Sequence, residues 1–387
     1  MSDWIPISVP SLQGNEWRYI KECLDTNWVS SAGKYVEKFE EEICKFTGAK
    51  YAIACVNGTC ALHIALKLVN VLPEDEVIVP TMTFIAPVNA VRYLNASPIF
   101  MDCDDYYNMD EEKTADFILK ETVFKGESSY NRTTQKRISA IIPVHVFGNA
   151  TKIERLVSLC RERNIKIVED ATESLGTIYT QGSLVSKHTG TIGNIGCLSF
   201  NGNKIITTGG GGMILTDNPE YAAKAKYLIT QAKDDELFYI HNEVGYNYRL
   251  TNIQAALGVA QLENLPEYLK IKKKNYGTYK ASMNQIPGLH LAETPEYAAN
   301  NYWMYALQID ERLYGKDRLE AMAYLARNQV QTRPVWHLNH WQKPYLDCQA
   351  YQIEKAVKLL HQTLNIPSSV NLKAEEIQRV LDLLKYA

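Results

Sequence analysis

Four features at separate points of the chain have residue types that could do chemistry together. Lys204 is the one lysine of the stretch SFNGNKIITTGGGGMILT (199–216), where an apolar approach leads into four consecutive glycines. Lysine is mostly a surface residue, so taken alone it reads as a solvated loop side chain. Asp170 closes the apolar run IKIVED (165–170), where an unpaired carboxylate is costly and calls for a cation that adjacent sequence does not supply. Gly58 and Thr59 open the helical pattern of NGTCALHIAL. Free backbone N–H groups and the helix dipole there can cradle a phosphate, although the same residues also serve as a plain cap. Phe84 in PTMTFIAPVNA follows another apolar run, as a stacking face for a flat heterocycle or as a core aromatic. Ser199 lies five residues before Lys204.

The elements that must position these residues are short apolar runs alternating with helical patterns. YAIACV (51–56), DEVIVP (75–80), SPIFMD (97–102), ISAIIPVHV (138–146), IKIVED (165–170), GCLSF (196–200) and GGMILT (211–216) read as strands. Continuous apolar runs suit strands buried on both faces of a parallel sheet. TCALHIALKLVN (59–70) and KIERLVSLCRERN (152–164) read as intervening helices. The expected fold class is therefore α/β, with a mostly parallel seven-stranded sheet and a smaller C-terminal α+β domain. The polar stretch 120–137 is expected to be an exposed excursion between two strands. After about residue 258 the strand rhythm fades into long helical patterns. The expected division is an N-terminal arm (1–30), a large domain (31–258) and a small domain (259–387).

Ligands of open α/β sheets collect beyond the carboxyl ends of the strands, which is where Gly58, Phe84, Asp170 and Ser199 all fall. A phosphate cradle, a flat stacking face, a carboxylate seeking a cation and a lysine together match one small molecule. Pyridoxal 5′-phosphate has a phosphate, an aromatic ring, a ring nitrogen that works best protonated, and an aldehyde that condenses with an amine.

The segments NWVSSAGKYVEKFE, NGTCALHIAL, PTMTFIAPVNA, PVHVFGNA, EDATESLG, SFNGNK, GYNYRLTNIQAALG and RPVWH, in this order and spacing, resemble the fold-type I, PLP-dependent nucleotide-sugar aminotransferases. The likeness covers nearly the whole chain. NRTTQKRISAIIPVHVFGN and QAKDDELFYIHNEVGYNYRL look most like the branch that aminates C4 of keto-deoxy sugars, which includes the legionaminic-acid and perosamine-type enzymes. The resemblance implies that Lys204 is the lysine that condenses with the cofactor and that Asp170 partners the pyridine nitrogen. It implies that Ser199 and the Gly58–Thr59–Cys60 turn hold the phosphate, that Phe84 stacks on the ring, and that Glu173 flanks it. It further implies that Asn247 reaches the phosphate from a neighbouring subunit, making a homodimer with shared sites. Where the family often has an acidic residue after the lysine this chain has GGGG, and Cys60 replaces the commoner Ala or Ser. The implied reaction is amino transfer from glutamate to C4 of a nucleotide-linked 4-keto-6-deoxy sugar. A UDP-linked 2-acetamido-2,6-dideoxy-4-ketohexose is expected, in bacterial surface-glycan biosynthesis, with a GDP-linked perosamine-type sugar as the alternative.

Ser30, Arg249, Arg333, Trp336 and His337 are candidates for the substrate pocket and equally for packing or surface roles. His145 is a candidate for the site and equally a hydrogen-bonded core histidine. A non-catalytic PLP-containing regulatory or scaffold protein is the competing class, though no basic helix-turn-helix stretch precedes residue 30. GTIGNIG (190–196) lacks the spacing and position of a dinucleotide fingerprint.

Bulk properties narrow the classes. The 387 residues are 46% hydrophobic and 22% charged with a net charge of −3, which argues against bulk attraction to nucleic acid or anionic membranes. No apolar run reaches membrane-spanning length, and the start MSDWIPISVPSLQ lacks the basic-then-apolar order of a signal peptide. Eight scattered cysteines with no C-x-x-C pair read as reduced thiols of a cytoplasmic protein. His337 and His340 offer two metal ligands and no third, so no metal is expected.

Overall fold

The computed structural model describes residues 4–235 and 237–386; the first three residues of the expected arm and the last of the small domain lie outside them. All seven apolar runs form strands. These are β1 (Tyr51–Cys55), β2 (Glu76–Pro80), β3 (Ser97–Met101), β6 (Arg137–Ile141), β7 (Lys166–Asp170), β9 (Ile195–Ser199) and β10 (Gly212–Thr216). They lie in the order β1-β10-β9-β7-β6-β2-β3. Only β10 runs against its neighbours; β9, β7, β6, β2 and β3 pair in parallel. Residues of β2 and β10 are buried throughout, as the lack of alternation in their sequences requires.

The sheet extends to ten strands. Ala350–Tyr351 adds in parallel beside β3. The other two correct the expectation for 120–137, which is not a structureless excursion. It folds as the hairpin β4 (Thr122–Lys125) and β5 (Ser128–Asn131), and β5 pairs with β6. Its polar side chains concealed this because several are buried and bonded: Asn131 donates to Glu76 and Ser129 to the Arg163 carbonyl. A two-residue strand β8 (Ile178–Tyr179) pairs with Ala298–Ala299.

Helices α1 (Glu16–Asp25), α2 (Lys34–Thr47), α3 (Gly58–Leu68), α4 (Ala86–Tyr93), α5 (Glu111–Lys120), α6 (Glu154–Glu162) and α7 (Pro219–Ile229) accompany the sheet. α3 is apolar nearly all round and packs under β9 and β10. The long helix α8 (Asn252–Met283) starts at a Thr251–Gln254 capping box and runs through residue 258 without a break. Its second half joins a separate core with a four-stranded sheet of Leu289–Leu291, Tyr305–Ile309, Thr363–Ile366 and Arg333–Pro334. Ile5 is buried in that core, its backbone bonded to Gln329 and Gln331.

Candidate active site

Strand ends and helix starts converge on one cavity of about 360 Å³ at the carboxyl edge of the sheet. Of the residues singled out from sequence, it is lined by Gly58, Thr59, Phe84, Asp170, Glu173, Ser199, Lys204 and Trp336. The turn from β1 into α3 is capped by Asn57, whose side chain accepts from the Cys60 N–H at 2.8 Å. Cys60 is thus already satisfied, and the Gly58–Thr59 edge is what the turn offers a phosphate. Gly58 has to be glycine for space: a Cβ there would lie 2.9 Å from that of Ser199. The absent side chain brings β9 and the start of α3 together around the cradle.

The end of β7 places two consecutive carboxylates on opposite faces of the sheet. Glu169, fully buried, faces away from the cavity. It accepts from the backbone of Gly190, Ile192 and Gly193 and pairs with His145 Nε2 at 2.9 Å. These partners outweigh burial and hold its carboxyl below the usual range. His145 takes the Thr151 N–H on its other nitrogen and lies outside the cavity lining, as a bonded core histidine would. Asp170 faces the cavity, 2% exposed, and its carboxylate accepts from the Thr172 N–H at 3.1 Å. Burial raises its carboxyl, with Thr172 and the Lys204 charge pulling back. This buried anion is under-supplied with positive charge.

Lys204 follows β9 on a turn, its N–H bonded to the Asn201 carbonyl. Its Nζ is 3.6 Å from Glu173 Oε1 and 4.2 Å from the centroid of the Trp303 ring. Glu173 Oε2 accepts from the Phe147 N–H at 2.8 Å. Phe147 points that N–H from the left-handed region, φ 57° and ψ 15°, which a bulky residue adopts only under constraint. Its ring is clamped between Trp336, stacked at 5.1 Å, and Tyr107. Burial pushes the Glu173 carboxyl up to about 7 despite the nearby ammonium. Phe84 is 53% exposed, an unusual state for a phenylalanine at a cavity wall, and its face is free to take a ring.

Several candidates lie outside this lining. Ser30 is exposed, its carbonyl accepting from Asn252. Arg333 and His337 are exposed, with the His337 ring against Trp341. Arg249 is half-buried and its Nε has no hydrogen-bond partner. Asn247 is exposed, on an extended segment whose Tyr246 and Tyr248 rings stack on each other and face His63 of α3. Thr83, Thr172, Asn201, Asn203 and Trp303 also line the cavity, though none was singled out from sequence. Thr172, Asn201 and Asn203 sit within motifs already singled out. Trp303, a hundred residues on, carries no local signal. Among the described residues no three His, Cys, Asp or Glu side chains are grouped to hold a metal, and no helix is long and apolar enough to cross a membrane.

The residues present suit pyridoxal phosphate on their own chemistry: a cradle that one Cβ would fill, an under-compensated buried carboxylate, an exposed aromatic ring and a largely buried amine. The comparisons agree. Residues 10–385 match the model of the DegT/DnrJ/EryC1/StrS aminotransferase family, and the chain belongs to that family. It is thus a pyridoxal-phosphate-dependent sugar aminotransferase, with the fold-type I architecture. It is 37% identical over 391 residues to the GDP-perosamine synthase of Caulobacter vibrioides, covering 99% of each chain. It is 35% identical over 375 residues to the GDP-perosamine synthase of Escherichia coli O157:H7, covering 97% of this chain and 96% of that one. Its fold superimposes on DesI, solved in the presence of its TDP-sugar product, with a TM-score of 0.87 at 24% identity over 100% of this chain and 93% of that one.

Proposed function

We propose that the enzyme transfers the amino group of glutamate to C4 of a nucleotide-linked 4-keto-6-deoxy sugar, in surface-polysaccharide biosynthesis. The nucleotide favoured is GDP. The full-length similarity to two GDP-perosamine synthases supports a GDP-linked, perosamine-type sugar over the UDP-linked 2-acetamido sugar expected from sequence. The observation that carries the catalytic reading is the meeting of Lys204, Asp170 and Glu173 in one cavity with the Gly58 cradle.

In this reading the start of α3 and Ser199 hold the cofactor's phosphate, Phe84 covers its ring, and Asp170 offers negative charge to the ring nitrogen. When bound, the cofactor supplies an electron sink for amino-group transfer. Lys204 is the one amine among the lining residues, and once free it is placed to take and return a proton. Glu173, with a carboxyl near neutrality, can give or accept a proton beside Lys204. The indole of Trp303 covers the Lys204 amine and limits water around it.

A homodimer with shared sites belongs to the same proposal. The Tyr246 and Tyr248 rings turn toward α3 of their own chain, so by the alternation of an extended strand Asn247 points away from it. The preceding segment exposes Leu237, Phe238, Tyr239 and Val244 by 69–76% each, an apolar surface that a second copy would bury. Arg249 and Ser30 would then serve the substrate across the interface, with Trp336 from within the cavity. In the same proposal residues 1–30 form the arm, 31–258 the cofactor domain and 259–387 the small domain, with α8 crossing from the second to the third.

Incubating purified enzyme with PLP, glutamate and GDP-, UDP- and TDP-linked 4-keto-6-deoxy sugars tests the assignment. The expected outcome is an amino sugar from the GDP-linked compound. Transfer to a UDP-linked sugar alone would restore the first expectation, and transfer to none of the three would overturn the substrate class.

A further inference from the structure

Lys272 is the first of three consecutive lysines on α8 and reads as part of a solvated charged face. It is 2% exposed. The reason is helical phase: Leu265, Tyr268, Lys272, Tyr276, Tyr279 and Met283 form one buried stripe at steps of three and four, and Lys272 occupies an apolar position within it. Its Nζ donates to the carbonyls of Trp303 at 2.9 Å and Ser368 at 2.5 Å and stands 5.3 Å from the Tyr305 ring centroid. No carboxylate among the described residues pairs with it. Burial drops its amine to about 7. Keeping an ammonium-forming side chain here is expensive, and an aliphatic residue would fill the stripe more cheaply.

What the lysine holds is the backbone of Trp303. The Ser368 hydroxyl donates to the same carbonyl at 3.1 Å, and the Trp303 indole N–H donates to the Asn203 carbonyl at 2.7 Å, one residue before Lys204. The indole is thereby fixed at both ends, with its face on the Lys204 amine. We propose that Lys272 is a positioning residue for the active site, which through the Trp303 carbonyl fixes the indole that covers the Lys204 amine. The proposal rests on reading Lys204 as the catalytic amine.

The indole face lies over the Lys204 amine and shields it from reagent and solvent, so a displaced Trp303 leaves that amine more open to labelling. Competitive labelling of the cofactor-free full chain with acetic anhydride across pH, read by peptide mass, follows Lys204 without any need for turnover. Lys272→Met is expected to speed acetylation of Lys204 about threefold across the profile, on the order of losing one partly shielded cation–π contact. Trp303→Leu is expected to do the same, and the double variant no more than either. In the loaded enzyme kcat should fall roughly tenfold with the KM for glutamate little changed, as for a misplaced reacting group. Should Lys272→Met not fold, Ser368→Ala removes one bond to the same carbonyl and should shift the profile in the same sense. A melting temperature that falls while the Lys204 profile stays at wild type, or additive shifts in the double variant, would overturn the proposal. Retained transfer in Lys204→Ala would instead overturn the reading of Lys204 and leave the labelling result standing.

Discussion

Glu169 and Asp170 are adjacent on β7, both buried, and opposite in circumstance. Glu169 accepts three backbone N–H groups and faces His145, whereas among the described residues the Asp170 carboxylate is bonded by Thr172 alone. The same strand end thus carries one carboxylate that closes a loop and one left open toward the cavity. Asp170→Asn keeps the shape and the Thr172 bond and removes the charge. The folded state should survive with PLP still bound while turnover falls by a hundredfold or more, on the order expected when an electrostatic partner is lost. Glu169→Gln puts an amide NH₂ among N–H donors and should cost about 3 kcal/mol of stability or more. Thermal unfolding and steady-state rates of the two variants check the contrast; equal loss of stability in both would make Asp170 a structural residue.

The Glu173 carboxyl gives a pH signature. Its folded value, about 7, is above that of an ordinary glutamate, so the native state holds the proton more tightly than the unfolded chain. Its contribution is therefore full below about pH 4.5 and is lost as pH rises toward 7, flattening beyond. Glu173→Gln cannot titrate, yet its amide oxygen can still accept from Phe147. Relative to wild type, the cofactor-free variant should gain stability between pH 5 and pH 8, by at most about 3 kcal/mol. Denaturant melts at several pH values measure this. A difference that stays constant with pH would show that Glu173 ionises normally.

Gly58 sets how closely the cradle can close. Alanine there would bring a Cβ to 2.9 Å from Ser199 Cβ and 3.2 Å from Thr172 Cγ2, so β9 or the start of α3 must shift. The expected cost is about 1–3 kcal/mol of stability, as for overpacking elsewhere. PLP affinity of the cofactor-free protein, read by fluorescence titration, should fall about tenfold, as an order-of-magnitude figure for a displaced phosphate cradle. Unchanged affinity would move the phosphate away from this turn.

The parts of this arrangement legible in the sequence are those encoded locally. β2 and β10 are read because strands buried on both faces are continuously apolar, and Gly58, Asp170 and Lys204 because each sits at a strand end or just beyond one. Alternation along β7 separates Glu169 from Asp170, and the same rule turns Asn247 away from Tyr246 and Tyr248. The hairpin β4–β5 was hidden because the buried residues of β5 are Ser129 and Asn131, polar groups satisfied by distant partners. Trp303 and Lys272 were hidden for a related reason: they are placed by packing of α8 against the segments 300–305 and 366–369, which no nearby pattern records.

The shared-site model makes the most demanding prediction. In the proposed dimer Asn247 faces away from its own α3, and the exposed apolar segment before it would lie against the second copy. If Asn247 reaches the phosphate cradle of a partner, an active site draws Asn247 from one chain and Lys204 from the other. Asn247→Ala and Lys204→Ala proteins should each be folded and nearly inactive. PLP followed by borohydride should leave an adduct on Lys204 of the first protein and none at that position in the second. On mixing under conditions of subunit exchange, a mixed dimer has one site with both defects and one with neither. Random exchange puts about half the dimers in that class, so up to about a quarter of wild-type activity should return, from the symmetry of a two-fold assembly. Exchange is followed by native mass spectrometry. Complete exchange with no recovered activity would mean that Asn247 and Lys204 do not meet across an interface, and the exposed apolar segment would then need another partner.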